Sequence, residues 1–77
     1  MTYNIPKGVG AFKVSFRYLV DQEKMSHREA YIAIKGEDKL NQLIEAVGAK
    51  ETDKYLMRTI KDTKLNIVEA RQILGLA

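Results

Sequence analysis

From Ala11 to Val20 the chain alternates: Phe12, Val14, Phe16, Tyr18 and Val20 share one face, and Lys13, Ser15 and Arg17 share the other. A period of two predicts a half-buried β-strand. Asp21 to His27 is polar and reads as a loop, after which Ala30, Ile32 and Ile34 alternate with Glu29, Tyr31, Ala33 and Lys35. This second predicted strand ends at Gly36. Neighbouring strands joined by a short polar loop pair most simply as an antiparallel hairpin.

Beyond Gly36 the period changes to that of a helix, with Leu40, Leu43, Ile44 and Val47 on one stripe and Glu37 and Asp38 in the first turn, where the helix dipole favours acids. The spacing predicts a helix from about Glu37 to Val47, stopped by Gly48. Thr52 is the expected cap of a second helix that runs to Thr63 and turns Tyr55, Leu56, Met57 and Ile60 inward. Asn66 and Glu69 form a variant capping box for a third, with Ile67, Ala70, Ile73 and Leu74 as its stripe and Gly75 as its end.

A two-stranded hairpin alone is marginal in water, so helices must cover its apolar face. The expected fold is α+β, an N-terminal antiparallel β-hairpin followed by two or three short helices packed on one face, in the order ββααα. Asn4, Pro6, Gly8 and Gly10 interrupt any pattern before residue 11. Residues 1–10 therefore read as a flexible N-terminal arm and residues 11–77 as a single domain.

At 77 residues the chain has room for one thin core and little for an enclosed substrate cavity, which counts against catalysis. It is 45% hydrophobic and 30% charged, too apolar for a disordered chain. Without cysteine there is no disulfide framework and no thiolate metal site. Residues 1–10 lack the apolar run of a signal peptide, and no window approaches the ~18 apolar residues of a membrane span, so the reading is cytoplasmic with no membrane partner. The net charge of +3 admits an acidic partner without requiring one, because 13 basic and 10 acidic residues are mixed along the chain. The one local excess is Lys7, Lys13 and Arg17, before the first acid at Asp21.

Candidate chemistry is sparse. The single histidine, His27, stands beside Ser26 in the predicted loop, where adjacent residues rarely present side chains to each other as nucleophile and base. No loop carries the alternating acids of a calcium site. The run Lys7 to Gly10 lacks the strand before it and the helix after it that a phosphate-binding loop needs. Glu37 and Asp38 are accounted for by the helix dipole. No catalytic residue, metal site or cofactor is assigned.

The outer face of the predicted hairpin would gather Lys13, Arg17, Tyr31 and Lys35, basic residues around one aromatic, a composition suited to RNA or single-stranded DNA. Glu29 shares that face and weakens it. Near the C-terminus, E-A-R-x-x-L-G-L has the form of the opening helix of a helix-turn-helix, but a recognition helix would have to follow Gly75.

Residues 57–74 resemble the helical hairpin in the C-terminal domain of the bacterial ribosomal stalk protein, in which a basic helix is followed by T-G-L-G-L-K-E-A-K. Thr63, Leu65, Ile67, Glu69, Ala70 and Arg71 match that motif in type, and Arg58, Ile60 and Lys61 match the helix before it. The family's two glycines are replaced here by Lys64 and Asn66. The resemblance implies that a protein partner docks on the basic face, with Met57, Arg58, Lys61 and Arg71 as contacts.

Together these features point to a small non-enzymatic protein-binding module, an adaptor or inhibitor of the kind phages often encode, that docks on a host protein. Its docking surfaces would be the open sheet edge and the basic helical side. The alternative is a small basic nucleic-acid-binding protein that uses the outer hairpin face. Pairing of two hairpins by their edges would make a homodimer.

Overall fold

The computed structural model describes residue 3 and residues 5–76, and among them the chain forms five helices and no strand. They are α1 (Val9–Asp21), α2 (His27–Lys35), α3 (Glu37–Val47), α4 (Ala49–Asp62) and α5 (Ile67–Leu74). The α+β expectation is therefore overturned: both predicted strands are helices. The sheet edge and the outer sheet face, with the docking and edge-paired dimer built on them, have no counterpart among the described residues. Of the arm expected over residues 1–10, residues 1, 2 and 4 lie outside the described residues. Tyr3 donates its amide to Ala33 O at 2.6 Å, Tyr3 and Ile5 pack against the core, and Val9 and Gly10 belong to α1.

The two strands failed for a physical reason. Residues 11–20 carry two periods at once: every second residue is apolar, yet Phe12, Phe16 and Leu19, with small Ser15 between, also make a helical stripe. Leu19 breaks the alternation and is fully buried, as are Phe16 and Ser15. The stripe wins because its residues share one core: Phe12 and Phe16 stack at 5.4 Å within a cluster drawn from α1, α2, α4 and α5. In α2 the decisive signal is Ser26, whose Oγ accepts from the Glu29 amide at 3.1 Å. That is the Ser-x-x-Glu start of a helix, after which Ala30 and Ile34, one turn apart, are buried.

Helix α1 is central, with α2, α4 and α5 packed around it, while α3 rests on α2 and α4. Single glycines join α2 to α3 and α3 to α4. The amides of Gly36 and Gly48 close the helix before (to Ile32 O, 2.9 Å; to Ile44 O, 2.7 Å), and their carbonyls open the one after (Leu40 amide, 3.3 Å; Thr52 amide, 3.0 Å). Serving two helices at once requires φ 94° and ψ 154° at Gly36 and φ 90° and ψ 157° at Gly48, a region closed to side-chain-bearing residues. Because Gly48 is the N-cap of α4, Thr52 is not its cap as expected. Thr52 is buried one turn in, its hydroxyl donating back to Gly48 O at 2.8 Å.

Helix α5 follows its predicted outline. The Asn66 side chain accepts from the Glu69 amide and donates to the Glu69 carboxylate, both at 3.1 Å, and Gly75 closes the helix in the left-handed conformation. Between α2 and α4, Arg28 grips Asp53 with two hydrogen bonds of 2.9 and 3.0 Å. The Arg28 hydrogen bond holds the Asp53 carboxyl below the usual carboxylate range.

Two outcomes follow. Gly48→Ala should cost about 1–3 kcal/mol in urea unfolding, all of it backbone strain, since a Cβ there meets nothing within 4 Å. A depressed folded pKa gives stability that is present above the unfolded value and lost as pH falls through the folded one. An acid titration by circular dichroism should therefore show a small loss below about pH 4 that Asp53→Asn removes, small because solvent screens the pair.

Candidate functional site

Helix α4 turns a narrow face inward: Thr52, Leu56 and Thr59 are buried, and Thr59 donates to Tyr55 O at 2.9 Å. At roughly 100° per residue, Lys50, Lys54, Arg58 and Lys61 fall within a sector of about 80° on the opposite side. All four are exposed. They form a ridge about 16 Å long. Lys54 pairs with Glu51 at 3.6 Å, while Lys50, Arg58 and Lys61 form no ion pair among the described residues.

Apolar surface flanks this ridge on both sides. Met57, 59% exposed, borders it on one. On the other, Leu43, Val47, Glu51 and Tyr55 line a shallow groove of about 330 Å³ between α3 and α4, and Lys54 and Arg58 of the ridge form its wall. Met57, Arg58 and Lys61, named from the sequence, thus share one surface. The sequence reading missed Lys50 because it began the helix at Thr52, and the signal was Gly48, which ends one helix and starts the next; Lys54 lay inside the predicted helix but outside the stalk-like motif. It also turned Tyr55 and Met57 inward, whereas both are exposed. Arg71 does not join them. Helix α5 packs on α1 rather than α4, and Arg71 donates to Tyr18 Oη at 2.9 Å and Leu76 O at 2.7 Å.

The residues assigned to the hairpin's outer face divide in two. Arg17 is part of the framework: its Nη1 donates to Ile60 O at 2.7 Å and Thr63 O at 2.9 Å, and its Nε donates to Asp21 at 3.0 Å. Lys13, Tyr31 and Lys35 line a cleft of about 370 Å³ together with Phe12, Tyr55, Gly8 and Val9. Tyr31 meets Phe12 edge-on at 5.8 Å, and Lys35 Nζ lies 5.0 Å from the Phe12 ring centre. Burial pushes the Tyr31 phenol above its ordinary value, and neighbouring Tyr55 adds to the shift.

A longer groove of about 690 Å³ runs between α1 and the start of α5, past Lys13, Val14, Leu65, Ile67 and Val68. Ser26 and His27 are placed apart in role. The Ser26 hydroxyl caps α2, and the His27 ring packs edge-on against Phe16 at 6.4 Å. Among the described residues no group of three His, Cys, Asp or Glu is arranged to hold a metal ion, and no helix is long and apolar enough to cross a membrane.

Comparison with known proteins finds no matching family model, no matching curated protein and no matching solved structure. What these surfaces do is argued from their own chemistry.

Arg17→Met should lower stability by about 1.5–3 kcal/mol in urea unfolding, because it strands Thr63 O and leaves Ile60 O with only the Thr63 amide, at 3.3 Å. Unchanged stability would return Arg17 to a surface role.

Proposed function

We propose that this chain is a non-enzymatic protein-binding module, an adaptor or inhibitor, whose outer α4 face docks on an acidic surface of a partner protein. The observation that carries the reading is the gathering of four cations on one side of α4, with exposed Met57 along one flank and Val47 and Tyr55 along the other. Met, Tyr and Arg are enriched at protein interfaces, where a long apolar side chain fills a pocket and a guanidinium forks onto a carboxylate. The fitting partner is an acidic amphipathic segment, its apolar residues in the α3–α4 groove and its carboxylates along the ridge. Ser26 and His27, the nearest approach to a nucleophile and base, are each engaged in the fold, which favours binding over catalysis.

The test is capture from native lysate with wild type, with Lys54→Glu/Arg58→Glu, and with Lys24→Glu/Lys39→Glu, two exposed positions outside α4, as a charge-matched control. Wild type and the control should retain the same protein at near-stoichiometric amounts. The double variant should lose it while keeping its circular dichroism spectrum, and wild-type retention should weaken with added salt. Equal retention by the double variant would rule out the α4 face.

A further inference from the structure

The cleft between α1, α2 and α4 carries a different chemistry from the α4 ridge. Its lining holds two lysines and three aromatic rings, and no carboxylate. Of the basic residues, Arg17, Arg28 and Lys54 have an acid within ion-pair distance. Lys13 and Lys35 have no ion-pair partner among the described residues, so their charge is available to a ligand. The aromatic part is already shaped: Phe12 is buried and holds Tyr31 edge-on, while Tyr55 stands 45% exposed at the margin. At about 370 Å³ the cleft lies at the small end of the range for small-molecule sites, roughly 300–1,000 Å³, and is far too small for a helix or a duplex.

A ligand matched to this lining needs a flat π-face for the tyrosines and a compact anion for the ammonium groups. We propose that the cleft binds a nucleotide unit, its base against Tyr31 and Tyr55 and its phosphate held by Lys13 and Lys35. Stacking on aromatic side chains tolerates any base, and lysine meets phosphate as a point charge, so the site recognises the unit and not a sequence. The first turn of α1, at Gly8 and Val9, lines the same cleft without an acidic side chain and adds the positive end of a helix to a site that the lysines and rings define. The unit could arrive as a free mononucleotide or as part of a single strand, and this binding does not depend on the docking role of α4.

Amide chemical shifts of the full chain, followed by two-dimensional NMR, test the proposal. The probes are AMP, adenosine, inorganic phosphate, O-phosphotyrosine and a short oligodeoxyadenylate. AMP should shift Val9, Lys13, Tyr31, Lys35 and Tyr55 together and bind more tightly than adenosine or phosphate alone. Lys35→Ala and Tyr55→Ala change exposed side chains and should each weaken AMP about tenfold with the fold intact by circular dichroism. An oligonucleotide that binds more tightly than AMP at the same residues identifies a single strand as the source; equal affinity identifies the free nucleotide. The proposal is overturned if no nucleotide shifts the cleft, if the shifts fall on the α4 ridge instead, if both variants bind as wild type does, or if phosphotyrosine binds more tightly than AMP.

Discussion

Burial of α1 on three sides is the constraint from which the rest of the structure follows. A helix with α2, α4 and α5 around it has almost no circumference left for water, and every residue from Ala11 to Asp21 is at least half-shielded. Its apolar residues supply the core, and a polar group taken from water without a replacement hydrogen bond is costly, a cost that the small Ser15 hydroxyl bears and that the larger polar side chains need partners to avoid. Arg17 meets this need at the end of α4, where the last carbonyls of a helix are unpaired by construction. One guanidinium thus removes two liabilities, a half-buried cation and the otherwise unpaired Thr63 carbonyl, and places a positive charge at the negative end of the α4 dipole. Tyr18 is treated the same way: its ring is in the core and its hydroxyl takes a hydrogen bond from Arg71.

This arrangement decides what α4 offers outward. Its inward face is made of one leucine and two threonines whose hydroxyls bond back along their own helix, so they need nothing from their neighbours. A face so narrow leaves most of the helix in solvent, and there Lys50, Lys54, Arg58 and Lys61 gather on one side although they are spread along the sequence, with Glu51 and Asp62 at the margin. The cleft arises from residues distant in sequence, brought together by the packing of α1, α2 and α4.

How much of this was legible depended on whether the deciding signal was local. Glu37 to Val47 and Asn66 to Gly75 could be read because caps, stripe and terminating glycine all fall within one short window. The first two helices could not be read from alternation, because Phe12, Phe16 and Tyr18 satisfy both periods; Leu19 and the Ser26–Glu29 cap were the local evidence for a helix, and the alternation outweighed them. Met57, Arg58 and Lys61 were legible as a helical face. Arg17 was not legible as a framework residue, since its carbonyl partners lie 43 and 46 residues away. Tyr55 joins Lys13, Tyr31 and Lys35 only through tertiary packing, which no local pattern encodes.

The one-residue joints at Gly36 and Gly48 make α2, α3 and α4 a chain of rods without slack. A connector with spare residues can absorb an insertion in a loop, whereas these joints have none. One residue added at Gly48 would separate the amide that closes α3 from the carbonyl that opens α4, so one glycine could no longer serve both helices. Slack of that kind is found between helices at residues 22–26 and 63–66, whereas the spacing from Gly36 to Asp62 behaves as a fixed ruler.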